Sequence, residues 1–299
     1  MRPSPVVTVA GMVLVAAVLG ASPRASAEES VLDEPIEKEG WPTEIVRRPL
    51  TLAEDMLEIV APANVNVSTG RVADPVYLSP SVYYGVSDGL TVGVRHLLGL
   101  CVTDKGGCPK VYNDVGLDTL WRLRHLAGAD LALGVALDAA PIADPFTLAG
   151  EVRLVARWAG GPFAFAIAPT LNFGLTQRDS DRVRKRVAVA FPLATYPFGW
   201  VQDTPGNKEF VSVPASLQIQ VLPPIAVVFG MALSGPLDPP AGDFGDLYTI
   251  PVGVAAIASP THMIDLGASL TFGNLLGRRI PNTDRADPRG MQVFAAIRL

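Results

Sequence analysis

The chain has 299 residues, of which 49% are hydrophobic and 18% are charged, and it contains 28 glycines and 27 prolines. So many helix breakers exclude a helical membrane bundle, while the apolar content is more than a water-soluble fold readily buries. The formal net charge of −5 argues against nucleic acid as a partner.

Residues 1–27 form an export signal. Arg2 supplies a positive start, Val6 to Leu19 form an apolar stretch, and Ala25-Ser26-Ala27 match a small–x–small cleavage pattern. The alternative is a retained membrane anchor, but the apolar run is shorter than the ~18 residues that a spanning helix needs. We therefore expect a cleaved signal peptide and an exported protein that begins at Glu28.

The next segment, 28–55, is acidic and lacks hydrophobic periodicity, with Pro35, Pro42 and Pro49 as breaks. Such a composition is typical of a flexible leader, and the alternative is a plug-like element. We predict a flexible acidic periplasmic leader.

From Met56 onward the pattern changes to strict alternation of apolar and polar residues. In 211–221 the apolar residues occupy every odd position from Val211 to Val221, and the same alternation recurs in 264–272 and 291–299. A period of two predicts β-strands. The predicted strands are 56–67, 76–86, 90–98, 114–124, 130–139, 147–158, 163–175, 209–221, 225–234, 247–257, 263–272 and 290–299.

The uncharged stretch from Phe210 to Leu237 could also be interpreted as a transmembrane helix. Pro223 and Pro224 lie at its centre, and proline inside a helix costs ~3 kcal/mol or more. A hairpin that turns at the two prolines is therefore the better interpretation.

These strands favour a membrane barrel over a soluble sandwich, which also alternates. Strands of ~10 residues can cross a bilayer at a tilt, and short and long connections alternate between them along the chain. We predict an all-β fold, a transmembrane antiparallel up-and-down barrel of about twelve strands over 56–299. The long connection 177–208 is predicted to be an inserted extracellular loop, with a hairpin that extends beyond the membrane.

Cys101 and Cys108 lie close together in another long connection. In an exported protein such a pair predicts a disulfide, because a metal site would need more ligands than this neighbourhood supplies.

The signal peptide, the alternating strands, the segments 89–94 and 174–179, and the C-terminal strand resemble porin-like outer-membrane proteins of Gram-negative bacteria. This resemblance covers nearly all of the mature chain. It implies a location in the outer membrane, with lipid and the barrel assembly machinery as partners. One departure is Leu299, since such proteins usually end in an aromatic residue that the assembly machinery recognises.

No catalytic motif stands out in the sequence. None of the three histidines, His96, His125 and His262, has a serine two residues away, as a membrane hydrolase of this type would. We expect no enzyme activity, no metal and no cofactor.

Charged residues at inward positions of the predicted strands are candidates for the pore lining. Five arginines are expected near the periplasmic mouth and outnumber two carboxylates there, which would give a positive constriction that selects anions. The alternative is a salt-bridged polar core that closes the barrel. The candidates are Glu58, Arg95, Asp118, Arg122, Arg124, Glu151, Arg153, Arg157, Asp265 and Arg298, of which Arg122, Arg124, Arg153, Arg157 and Arg298 form the arginine group and Glu58 and Asp265 the carboxylates.

The leading functional hypothesis is a passive pore for small polar or anionic solutes. A non-conducting structural or interaction barrel that presents its extracellular loops is the second hypothesis, and a membrane enzyme is the third.

Overall fold

A computed structural model describes residues 37–299 except 69, 71, 74, 97, 104–110, 124–128, 141, 143–145, 179–182, 191–197, 205–206, 238–247 and 276–288, and of 183–190 and 198–204 it describes the backbone. Two short 3₁₀ turns, Lys38–Gly40 and Ile45–Arg47, precede the strands. The strands are β1 Leu57–Asn66, β2 Val76–Leu78, β3 Ser81–Ser87, β4 Leu90–Arg95, β5 Leu100–Cys101, β6 Val115–Arg122, β7 Asp130–Ala139, β8 Leu148–Gly160, β9 Phe163–Ile167, β10 Thr170–Gly174, β11 Val183–Ala190, β12 Phe198–Thr204, β13 Phe210–Leu222, β14 Ile225–Pro236, β15 Val252–Thr261, β16 Ile264–Phe272 and β17 Arg289–Arg298.

The strands form a closed antiparallel barrel of twelve strands in which chain neighbours pair in sequence. The barrel closes where β1 pairs with β17, in a register that runs from Glu58 opposite Arg298 to Asn66 opposite Gly290. This arrangement confirms the predicted all-β up-and-down barrel. Within the described ranges, no helix is long and apolar enough to span a bilayer.

Prolines divide two of the twelve strands. β2 and β3 are separated at Ser79-Pro80, and β9 and β10 are separated at Ala168-Pro169. Proline has no N–H to donate to the neighbouring strand, so each ladder is interrupted there. β9 and β10 both pair with β8 and β13. β2 and β3 both pair with β1, and on their other side β2 pairs with β5 and β3 with β4. The breaks therefore do not open the barrel wall.

The two faces of the wall differ in the way that a membrane barrel requires. Leu217, Phe229 and Leu266 on the outer face are 40%, 48% and 49% exposed, whereas Gln218 and Asp265 on the inner face are fully buried. A soluble sandwich buries its apolar face, so this inverted pattern matches a lipid-facing exterior and a polar lumen.

Residues 41–56, hereafter the plug, fill the lumen at the end of the barrel where the connections are short. Trp41, Ile45 and Leu52 are at most 3% exposed and belong to a hydrophobic cluster with inward residues of β14 and β15, such as Val228 and Ile257. The structure therefore differs from the flexible leader predicted for 28–55. The reason is that this part of the segment has enough large apolar side chains to be stabilised by burial, although they follow no regular period.

The insertion between β10 and β13 contains a separate hairpin of β11 and β12. The backbone of β11 lies within 8 Å of β13, β14 and β15, and that of β12 lies within 8 Å of β16. The outer faces of these wall strands remain exposed, while inner residues such as Ser234 and Ser269 are buried. The hairpin therefore lies on the inner side of the wall.

The end of the insertion leads to the same conclusion. Asn207 is fully buried and donates from its amide group to the carbonyl oxygens of Leu148 and Thr176. Gly174 lies on the inner face of β10, and a Cβ there would come within 1.6 Å of the Asn207 carbonyl oxygen. The chain thus returns to the wall from the inside, and the prediction that this hairpin extends beyond the membrane is corrected.

Candidate functional site: the charged lumen

Five charged residues on adjacent strands form the mid-lumen cluster. Arg95 bridges Asp138 at 2.6 Å and Glu151 at 3.1 Å. Arg153 bridges Asp118 at 2.8 Å and Glu151 at 2.7 Å. Four of the five are nearly fully buried, and Asp138 is partly exposed. The members of the cluster are Arg95, Asp118, Asp138, Glu151 and Arg153.

Two inward glycines let these arginines reach across the wall. Gly116 lies between Arg95 and Asp138 in the cross-strand register, and a Cβ on it would come within 2.1 Å of the Asp138 carboxylate. A Cβ on Gly134 would come within 2.6 Å of the Arg153 side chain. A larger residue at either position would therefore displace a side chain of the mid-lumen cluster.

A second group, the mouth cluster, lies at the short-turn end and joins the plug to the wall. Arg48 of the plug donates to Asp265 at 2.5 and 2.9 Å and to the Ser259 hydroxyl at 2.9 Å. Arg298 bridges both Asp265 and Glu58, the latter at 2.8 Å. The Trp41 ring of the plug lies 5.6 Å from the Arg298 guanidinium, within range of a cation–π contact. The members of the cluster are Arg48, Glu58, Asp265 and Arg298.

Arg157 on β8 binds the backbone of the plug. Its guanidinium donates to the carbonyl oxygens of Ile45 at 3.0 Å, Val46 at 2.6 Å and Arg48. Arg157 is fully buried, and the dipoles of the three carbonyl groups stabilise its positive charge there. Arg157 is therefore one of the wall side chains that hold the plug in its docked position, together with Asp265 of the mouth cluster.

The predicted arginine group does not form one ring. Arg298 lies in the mouth cluster, Arg153 lies in the mid-lumen cluster, Arg157 binds the plug, and Arg122 pairs with Asp130 at 2.9 Å. Arg124 lies outside the described residues. The two clusters, Arg157 and the Arg122–Asp130 pair together contain six arginines and six carboxylates, so their formal charges cancel and give no positive bias.

Sequence reasoning missed three charged residues of the lumen. Asp130 and Asp138 occupy inward positions of β7, which the alternation of that strand could have revealed. Arg48 could not be found in this way, because the residues of the plug do not alternate between apolar and polar as those of a strand do.

His96 and His262 are described, and His125 lies outside the described residues. The His96 ring contacts the Pro80 carbonyl and the Tyr112 hydroxyl, the latter at 2.9 Å. Burial and the nearby Asp114 carboxylate raise the pKa of the Tyr112 phenol, which lies in a long connection outside the strands. Among the described residues, no group of three His, Cys, Asp or Glu side chains is arranged to hold a metal. Cys101 is disulfide-bonded, and its predicted partner Cys108 lies outside the described residues.

No protein-family model and no curated protein matches the sequence. Solved structures are similar in fold: the NanC porin superposes with a TM-score of 0.53 at 7% identity, over 81% of this chain and 100% of that one. The KdgM porin gives 0.49 at 7% identity, over 80% and 98%. An outer-membrane channel from Pseudomonas putida F1 gives 0.49 at 12% identity, over 83% and 97%. The similarity to NanC shows that this chain has a porin-like barrel fold.

Proposed function

We propose that this chain is a passive outer-membrane channel for small polar or anionic solutes, exported from a Gram-negative cell with cleavage of residues 1–27. The observation that carries the proposal is the charged inner face of a closed barrel whose outer face is apolar. Burying ion pairs is often less favourable than burying apolar side chains of similar volume. A barrel that served only as an anchor would gain stability from an apolar core, whereas a water-filled path requires a polar one.

In this proposal the structure represents the closed state, and the plug is the element that closes it. The plug enters at the short-turn end, which is the periplasmic end in the topology predicted from the connections. Its polar contacts with the wall include the Arg48 bridge to Asp265 and the three hydrogen bonds from Arg157, and they add to the apolar contacts of Trp41 and Ile45. Conduction requires that the plug leave the lumen while the twelve-stranded wall stays closed.

A non-conducting structural barrel is the second candidate. It is favoured by the pairing of the luminal charges and by the apolar contacts of Trp41 and Ile45. In that case the plug would be a permanent part of the core.

Single-channel recording of the mature protein in planar bilayers tests the proposal. We expect discrete openings from the channel, and more of them when the plug is weakened. A folded barrel that never conducts, even after its plug is weakened, would favour the structural barrel. Heat-modifiable migration in detergent gels supplies the folding control in each case.

A further inference from the structure

We infer that the face of the wall beneath the plug is a binding site for small organic cations in which a guanidinium or amidinium group is joined to an aromatic ring. In the structure the plug occupies this site with its own side chains. Such a cation would compete with the plug and release it, and would therefore regulate the short-turn mouth. The binding does not depend on the proposed channel function, whereas its effect on conductance rests on that function.

The charged part of the site is the place where the wall holds the guanidinium of Arg48. Asp265 accepts from both terminal nitrogens, at 2.5 and 2.9 Å, and the Ser259 hydroxyl accepts from one of them at 2.9 Å. All three residues are fully buried. A carboxylate that receives two parallel N–H groups matches a guanidinium or an amidinium, whereas an ammonium group lacks this planar fork.

The charge balance of the mouth cluster shows why a cation is needed at this position. The wall supplies two carboxylates, Glu58 and Asp265, and one guanidinium, Arg298, and the plug supplies the fourth member, Arg48. Without Arg48 the cluster has a formal charge of −1 among buried side chains. Because an uncompensated buried charge is strongly unfavourable, this position attracts another cation when the plug is displaced.

Arg157, which also faces the plug, has a carboxylate of its own. It lies directly opposite Asp130 in the register of β7 and β8. In the part of the chain that the structure describes, the Oδ2 atom of Asp130 has no hydrogen-bond partner. Arg157 can therefore turn to Asp130 when the plug carbonyl groups are withdrawn, and Asp265 stays available for the incoming cation.

The apolar part of the site adjoins the charged part on the same strands. Inward positions alternate along a strand, so the next inward residue lies two positions from each polar member of the site. These next residues are apolar and buried, namely Val60 on β1, Ile257 on β15 and Ala296 on β17. They form one hydrophobic cluster with Trp41 of the plug. A ligand with its cation on Asp265 therefore has an apolar surface for its ring, one pleat deeper in the lumen.

The plug does not satisfy all of its own polar groups in this site. The Trp41 ring lies 5.6 Å from the Arg298 guanidinium, but its indole N–H is buried and finds no hydrogen-bond acceptor among the described residues. A buried donor without a partner costs free energy. A ligand whose ring carries no N–H avoids this cost and keeps the contact with the guanidinium, so it can compete with the plug.

Benzamidine is the probe, and benzamide, its neutral analogue of the same shape, is the control ligand. Calorimetric titration of the full mature chain in detergent measures both affinities. Benzamidine should bind Arg48→Met at least about tenfold more tightly than the unmodified protein, because the internal competitor has lost its cation; tenfold corresponds to about 1.4 kcal/mol. The matched variant Arg47→Met removes an exposed arginine of the same plug and should bind as the unmodified protein does. Benzamide should not bind.

Maleimide labelling of a Val46→Cys variant reports release of the plug, because Val46 is 2% exposed while the plug is docked. A competitor raises the undocked fraction by the factor 1 + [L]/Kd, so benzamidine at ten times its Kd for the undocked site should speed labelling about tenfold. Benzamide at the same concentration should leave the rate unchanged. Planar-bilayer recording in benzamidine should show a matching rise in the fraction of open channels.

The outcomes separate the binding site from the channel. Equal effects of benzamidine and benzamide would overturn the site, as would equal affinity in Arg48→Met and the unmodified protein, or tighter binding in Arg47→Met. Labelling needs no Arg48 variant, so it decides even where that variant does not fold. Binding and faster labelling without conductance in any variant would keep the site and refute the channel. Conductance in a protein that neither binds nor responds to benzamidine would refute the site and keep the channel.

Discussion

Replacement of Arg157 by methionine should release the plug and leave the wall intact. The side chain donates three hydrogen bonds to plug carbonyl groups, and in the described residues it forms no ion pair with the wall. Hydrogen bonds from charged donors contribute ~1.5–3 kcal/mol each after solvation is included. At the lower end of that range the three bonds contribute about 4–5 kcal/mol to plug docking. Since each 1.4 kcal/mol is a factor of ten, the ratio of open to closed channels should rise about 1000-fold.

Two assays measure this change. Single-channel recording gives the fraction of time that the channel conducts. Labelling of an Ala53→Cys variant with a maleimide gives the exposure of the plug, because Ala53 is 3% exposed while the plug is docked. Labelling should become faster in the Arg157→Met background.

The matched control is Arg47→Met. Arg47 belongs to the same plug, but its side chain is 64% exposed and pairs with Glu44 three residues away. Exposed pairs contribute at most ~1 kcal/mol, so this control should open the channel little. If Arg157→Met gave a folded barrel with no added conductance and no faster labelling of Ala53→Cys, the role assigned to Arg157 would be refuted.

Three further predictions concern stability. Asp265→Asn removes the shared carboxylate of the mouth cluster and should lower the free energy of unfolding by about 3–5 kcal/mol. The assay is the midpoint of urea unfolding in lipid vesicles, and an unchanged midpoint would contradict the role of the cluster. Leu217→Arg places a charge on the outer face and should cost ~2–4 kcal/mol in vesicles, whereas a cost near zero would argue against contact with lipid. Cys101→Ser should cost ~2–3 kcal/mol by freeing the predicted loop to Cys108, and mass spectrometry that finds both thiols free in protein taken directly from cells would exclude that bond.

Most strands could be located from the sequence because a membrane barrel gives each strand two contrasting environments. The strand predicted at 130–139 is found as Asp130–Ala139, and the one predicted at 209–221 is found as Phe210–Leu222. Lipid on one side and a polar lumen on the other enforce alternation over the whole strand. The proline breaks near Pro80 and Pro169 were missed because each half alternates in the same way.

The plug and the hairpin could not be placed in this manner. The plug consists of one short 3₁₀ turn, Ile45–Arg47, and otherwise irregular chain, so its apolar residues have no common period. Its position depends on groups that are distant in the sequence, such as Arg157. For the hairpin, alternation identifies strands but carries no information about which side of the wall they occupy. That side is set by the close approach of Asn207 to Gly174, a tertiary contact.

The luminal charges show a similar limit. Alternation places Arg95 and Arg153 on the inner face, but their partners depend on cross-strand register and on the space that Gly116 and Gly134 leave. The face of the wall on which a residue lies can be predicted from its own strand. The partner of its salt bridge depends on the register between several strands.

Release of the plug should also change the selectivity of the open channel. It withdraws Arg48, and Arg157→Met removes a second cation. The mid-lumen cluster, the rest of the mouth cluster and the Arg122–Asp130 pair then contain four arginines and six carboxylates. If these groups govern selectivity, the Arg157→Met channel should prefer cations, seen as the sign of the reversal potential in a potassium chloride gradient. Anion preference in this variant would show that selectivity is set elsewhere in the lumen.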